Sequence, residues 1–279
     1  MSTPASRLTD SISCPTHGDS RGPILSPGAT EVFVGGLTAA RYTDICQCAT
    51  PHKSPLAQGA AMVLINGLPA ARVGAQTLDG GQILDGDASV LIGGDTFSIP
   101  SFFSIEGDAD YQAKVLRDLH TIASTPSGEK LFASLQAGGH KVRIQYGKKM
   151  ETFTDPKNSD PNAADQTDPR AYDGTGIDAQ IDYNPDSPGI PYDKESAWTH
   201  PPDYAPDTDL FHELVHADDM SRGRLDKSEC PNVGPQKYFP TRSSELRAEG
   251  LGPYDDESKY PYSENTYRRD RGFAQRTFD

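Results

Sequence analysis

The residues with the clearest chemical meaning are His212-Glu213-Leu214-Val215-His216. Two histidines four positions apart project from one face of a helix, so both imidazoles can reach one cation. Glu213 sits one position round the helix, near enough to take a proton from water at the metal. This is the residue pattern of zinc-assisted hydrolysis with a glutamate as general base. A catalytic zinc needs a third protein ligand and an open position. The downstream candidates are Asp218, Asp219, Glu229, Glu245 and Glu249. The two aspartates follow His216 too closely to fold back easily. Glu245 lies 29 residues beyond His216, in a second predicted helix within TRSSELRAEG. Glu249, one turn further on the same face, is either the ligand or a carboxylate that orients a histidine.

These residues need elements to hold them. The spacing predicts that the helix carrying His212 starts near Asp207 or Asp209, either of which can cap it. A Pro-rich coil from Pro185 to Pro206 leads into it. Further upstream, YQAKVLRDLHTI places Val115, Leu116, Leu119 and Ile122 on one helical face. A turn at Thr125–Gly128 leads to a second short helix around Glu129–Leu135. Lys141–Tyr146 and Ile177–Tyr183 alternate as strands. The aspartate-rich stretch from Asp155 to Asp173 reads as a loop.

The chain has 279 residues and a net charge of −14, with 26 glycines and 23 prolines. That length suits one large or two ordinary domains, and the glycine and proline content predicts many turns. No run of 18 apolar residues exists, so no membrane-spanning helix is expected. The start, MSTPASRLTD, lacks both a basic segment and an apolar stretch, so no standard secretory signal is expected. The acidic balance argues against a sequence-independent grip on nucleic acid. Four cysteines allow three pairings; without a secretion signal they are expected to serve as thiols or metal ligands.

The first hundred residues differ from the rest. They hold 5 basic and 8 acidic side chains, 13 glycines and three of the four cysteines, while the remainder carries a net charge of −11. The expected domains are therefore 1–98 and 99–279. Pro4-Ala5-Ser6-Arg7 recurs as Thr38-Ala39-Ala40-Arg41 and Pro69-Ala70-Ala71-Arg72. Asp10 and Cys14 follow the first arginine at +3 and +7, and Asp44 and Cys48 follow the second at the same spacings. The third copy has Ala75 and Asp79 there. A second element repeats in step: Gly28, Gly59 and Gly86 are each followed four residues later by Val32, Val63 or Val90. Each copy is a turn and a strand too short to bury a face alone, so the copies must stack.

These residues resemble the PAAR-repeat family, over about residues 1–95. The resemblance implies a small all-β cone that caps the trimeric VgrG spike of the bacterial type VI secretion system, with the rest of the chain as cargo. It further implies that the protein is made in the bacterial cytoplasm and exported by puncture into target cells. The cone tip in that family binds zinc, and the matching donors are Cys14, His17, Cys48 and His52. Cys46 is a substitute for Cys48, but only Cys48 occupies the repeat position of Cys14.

FHELVHADD, SELRAEG and SENTYRRDRGFAQRTFD resemble NleD-type zinc metallopeptidases, which are injected effectors; the match extends more weakly over residues 110–279. They are also similar to the clostridial neurotoxin proteases. That resemblance implies an α+β, zincin-like domain in which His212, His216 and Glu245 hold a catalytic zinc and Glu213 is the base. Tyr267 and Arg268 are the implied oxyanion-stabilising pair, with Tyr262 and Arg269 competing for the role. The implied substrate is a target-cell protein. A non-catalytic interaction module and a hydrolase of cell-wall amides are the alternatives. An immunity protein or chaperone would be a separate chain.

Overall fold

A computed structural model describes residues 2–18, 20–48, 52–147, 153–156, 168–187, 205–230 and 241–277. Most of the expected Pro-rich coil and of the expected aspartate-rich loop lies outside these residues. The chain divides into two compact units, one of residues 1–99 with 107–117 and one of 100–106 with 118–279. No helix among the described residues is long and apolar enough to cross a membrane.

The first unit is β-rich, and its repeats close on one another as a ring. Ala40 N donates to Ser6 O (2.9 Å), Ala71 N to Ala40 O (3.0 Å) and Ser6 N to Ala71 O (3.0 Å). A second ring runs from Leu8 N to Thr38 O, Tyr42 N to Pro69 O and Val73 N to Pro4 O, at 2.8–2.9 Å. Each copy thus satisfies its backbone on the next, which a single copy could not do. Ala5, Ala39 and Ala70 are essentially fully buried together, where three converging backbones leave room only for a methyl. Ile12, Ile24, Leu56 and Ile83 fill a second cluster.

The arginine turn explains the aspartate at +3. Arg7 N donates to Asp10 Oδ2 at 2.8 Å and Arg41 N to Asp44 Oδ2 at 2.7 Å. Thr9, Thr43 and Gly74, each two residues after its arginine, have φ of +75°, +74° and +92°. A β-branched residue is strained there, and only the third copy relieves it with glycine. That copy lacks the carboxylate, and Arg72 instead donates to Gly94 O and Thr96 Oγ1, both at 2.9 Å.

The second unit is α+β. Its sheet has the order Phe103–Ile105, Val142–Tyr146, Ala179–Tyr183, Phe153–Pro156, with the last strand antiparallel to its neighbour. Val142, Ile144, Ala179, Ile181 and Tyr183 are buried on one face, and Gln145 donates to Asp182 Oδ1 (2.8 Å) on the other. Helix α1 (Ala109–Ala123), whose residues up to Arg117 fall in the first unit, buries all four positions of the predicted apolar face. Helix α2 (Pro126–Gly138) is capped by Thr125, whose hydroxyl accepts from Gly128 N, and ends on Gly139 in the left-handed conformation. Helix α3 (Pro206–Ser221) is the centre of the unit: α2, α4 (Ser243–Glu249), α5 (Glu264–Asp270) and the strand Ala179–Tyr183 all pack on it.

The start of α3 departs from expectation. Ala205 holds the cap position with no side-chain bond, and Pro206 opens the first turn. Proline pre-sets the helical φ there and has no N–H to satisfy. Asp207 is thereby placed inside the first turn, where its carboxylate accepts from the Tyr267 hydroxyl and Arg271 instead of capping.

Candidate metal centre

Helix α3 delivers His212 and His216 to one side, one turn apart, with Nε2 atoms 3.1 Å from each other. Helix α4 brings Glu245 to the same point: Oε2 lies 3.4 Å from His212 Nε2 and Oε1 3.6 Å from His216 Nε2. The three ligand atoms all fall within 4.8 Å of one another. His216 is buried, whereas the Glu245 side chain is 45 % exposed. The cluster is therefore walled by protein on the histidine side and open to solvent on the glutamate side. Two neutral imidazole nitrogens and one carboxylate facing a common point, with one side open, suit a catalytic zinc. His216 Nδ1 is buried with no hydrogen-bond partner among the described residues, and the two Nε2 atoms face the same point.

The orientation of His212 comes from α5. Glu264, fully buried, accepts from His212 Nδ1 through Oε2 at 3.1 Å. Its other oxygen accepts from Arg268 Nε and Arg276 Nε, both at 2.7 Å. An N–H committed at Nδ1 leaves Nε2 as the lone-pair donor aimed at the metal position. Burial alone would raise the Glu264 carboxyl, but Arg276 and His212 outweigh it and hold it ionised, well below the usual range. Glu245 is likewise penalised by burial yet held low by the charges of His216 and His212. Burial would lower both histidines, and the surrounding carboxylates, Glu213 among them, raise them instead. Glu213 thus lies close enough to feel both rings, and it is itself largely buried.

The model of Peptidase_M91, described as an effector-protein family, matches residues 99–278. The chain belongs to the Peptidase_M91 effector family. A PAAR-motif model matches residues 17–85, so the two follow in the expected order. No curated protein matches the chain. Among solved structures, the Clostridium botulinum neurotoxin serotype F light chain is 17 % identical over 50 % of this chain and 43 % of its own, with a TM-score of 0.36. The botulinum neurotoxin type G light chain is 16 % identical over 55 % and 48 %, with a TM-score of 0.34. The chain spans less than half the length of either.

In this Peptidase_M91 chain the expected oxyanion pair sits elsewhere. Tyr267 is fully buried, stacked on Phe211 with ring centroids 4.4 Å apart, and its hydroxyl is bound to Asp207. Arg268, 2 % exposed, is committed to Glu264. Tyr267 thus meets the start of α3, and Arg268 meets the carboxylate that contacts His212. The competing residues are no closer to the ligand atoms' function. The Tyr262 hydroxyl donates to Asp218 Oδ2 at 2.6 Å, and Arg269 pairs with Glu257 at the surface. Tyr267, Arg268 and Arg269 lie on α5 and Tyr262 just before it, and each polar group is engaged by the partner named.

Glu249 is not the histidine's partner either. It pairs with Arg276 Nη1 at 2.8 Å, and burial pushes its carboxyl up to about 7. Asp218 and Asp219 are buried against Arg224, and Glu229 is exposed in a short strand. Glu264 and Arg276 escaped the sequence reading, although Glu264 heads a helix with an arginine at i+4, a spacing that favours pairing.

At the other end of the chain, three of the four expected donors meet. The Cys14 and Cys48 sulfurs converge on one point, and His17 Nδ1 lies 3.2 Å from each of them. Cys14, His17 and Cys48 thus present a three-donor set to one position. His52 is withdrawn from it: Nε2 lies 2.7 Å from Asp79 Oδ2, so the residue that replaces cysteine in the third repeat takes the fourth donor. Cys46 is buried within the hydrophobic cluster and contributes nothing there.

Proposed function

We propose that this chain is a spike-tip effector of the type VI secretion system. Its N-terminal unit seats on a trimeric VgrG spike, and its C-terminal unit is a zinc-dependent endopeptidase carried into a target cell, where it cuts a protein. The observation that carries the enzymatic half is the convergence of His212, His216 and Glu245 on one solvent-open point, with Glu213 beside them on the same helix.

The catalytic zinc would be held by those three residues, and when bound it supplies Lewis acidity toward a peptide carbonyl and toward water. Glu213 accepts the proton of the attacking water and returns it to the leaving amine. Glu264, held by Arg268 and Arg276, keeps His212 in the tautomer that can ligate. Cys14, His17 and Cys48 would hold a second, structural zinc at the tip, cross-linking a unit whose core is small.

The spike half rests on a threefold feature. The residue five positions after each repeat glycine is Phe33, Leu64 or Leu91, exposed at 62 %, 54 % and 61 %. Three equivalent apolar side chains left in water ask for a cover, and a partner of three chains offers one matching patch for each. An immunity protein or chaperone, if one exists, is a partner of the C-terminal unit.

The deciding experiment is peptide-bond cleavage in proteins of a sensitive recipient by the purified, zinc-loaded full chain, with Glu213→Gln as control. Cleavage by the parent and none by the variant supports the reading; equal activity, or none from either, removes it.

A further inference from the structure

We propose that the C-terminal unit has a second binding site, distinct from the metal centre, for a phosphomonoester borne on a planar ring. A cavity of about 670 Å³ is walled by α2, the residues after α3, α4 and the segment 254–262. Neither the three expected zinc ligands nor Glu213 line it. That volume is in the range of small-molecule sites.

Its charge runs against the rest of the molecule. In a chain of net −14, the cavity is lined by Lys130, Arg224, Arg247 and Lys259 against only Asp219 and Asp226. Asp219 Oδ1 accepts from Arg224 Nε at 2.7 Å, and Asp226 accepts from Ser228 N at 2.9 Å and the Tyr254 hydroxyl at 3.2 Å; Arg224 also pairs with Asp218 behind the wall, so the unspent positive charge is that of Arg247, Lys130 and Lys259. A concave, partly apolar wall focuses the remaining positive field on whatever enters.

Two of the cations are held rigidly around one tyrosine. Arg247 is 6 % exposed and donates through Nη1 to the Tyr262 carbonyl at 2.8 Å. Its guanidinium lies 5.2 and 5.1 Å from the ring centroids of Tyr260 and Tyr262. Arg224 Nη2 donates to the Tyr262 hydroxyl at 2.9 Å. The two forks therefore bracket Tyr262 from its backbone end and its hydroxyl end. Lys130 and Lys259 are exposed, Lys259 with a loose 3.6 Å pairing to Asp256, and can move toward a ligand. The fixed guanidinium of Arg247 and the mobile ammonium groups together suit a phosphate of nearly two charges.

The aromatic lining narrows the class further. Tyr254 and Tyr260 meet edge to face at 5.0 Å, and with Tyr262 they give the cavity apolar faces that a bare anion would leave unused. A planar ring carrying the phosphate uses both halves of the wall. A phosphorylated tyrosyl side chain and a nucleoside monophosphate are the two sources of that chemistry.

The test is calorimetric titration of the zinc-loaded full chain with phenyl phosphate, adenosine 5′-monophosphate, inorganic phosphate and phenol. The expected result is saturable binding of at least one ring phosphomonoester, tighter than both inorganic phosphate and phenol; which of the two binds more tightly identifies the source. Lys130→Glu with Lys259→Glu is expected to weaken that binding about tenfold or more, with Tm unchanged because both side chains are exposed. Binding is expected to persist after zinc is stripped by a chelator. The proposal is overturned if no ring phosphomonoester binds by about 10 mM, a threshold weaker than ordinary small-ligand affinity. It is equally overturned if inorganic phosphate binds as well, if the double variant is unaffected, or if stripping zinc abolishes binding.

Discussion

Glu213 and Glu264 both belong to the metal centre, yet their removal should read differently. In the proposed mechanism Glu213 only moves a proton, and glutamine keeps its shape without its basicity. Glu213→Gln is expected to lower the cleavage rate by on the order of 10²–10⁴ while zinc content, by metal analysis, stays at one per catalytic unit. Glu264 acts on the metal through His212, so Glu264→Gln is expected to weaken zinc affinity by about 10–100-fold, measured by chelator competition. Glu249 gives a third, independent reading. Its carboxyl titrates near 7 in the folded, metal-free chain and from an ordinary 4.5 when unfolded. Between those values the folded state keeps a proton that the unfolded state has lost, so stability falls as pH rises through that window. Glu249→Gln should flatten this decline and raise Tm at pH 8 relative to the parent, measured on chelator-treated protein.

At the scale of elements, the site depends on how helices begin and end. Helix α5 is fixed by a capping box: Ser263 Oγ accepts from Thr266 N, and the Thr266 hydroxyl faces Ser263 N. Because the next residue is Glu264, the cap also sets the position of the carboxylate that orients His212. Ser263→Ala is expected to cost about 1 kcal/mol of stability and, in addition, to weaken zinc binding. Thr125→Ala removes the cap of α2, which carries none of the expected ligands, and should cost a similar amount with zinc affinity unchanged. Equal zinc affinity in both variants would show that the α5 cap is structural only. The elements bearing the site residues were legible from periodicity and turns. The partners of α5 were not, because Tyr267 and Arg268 are chosen by what lies across the helix, which no spacing along the chain records.

For the whole molecule, the two units divide the work and should fail separately. Phe33, Leu64 and Leu91 project from equivalent places in three repeats, and none of them is needed to close the backbone rings. Replacing all three by Asp is expected to abolish co-purification of the full chain with a trimeric spike, while cleavage by the purified protein is unchanged. Loss of both would mean that the substitutions unfold the first unit or that the units depend on each other. The acidic balance, −14 over 279 residues, does not choose the substrate.

Repeat and motif were decided by the sequence itself, because both are written in local spacing. Arg7, Arg41 and Arg72 with their glycine–valine partners specify three stacked copies, and a helix brings His212 and His216 to one side whatever surrounds it. Glu245 could be nominated on the same grounds. Only the tertiary structure could pair His212 with Glu264, 52 residues away, turn Arg268 and Arg276 inward, and join His52 to Asp79 across two repeats. Those choices depend on which buried charges must be neutralised once the chain is packed, and burial is a property of the fold rather than of any segment.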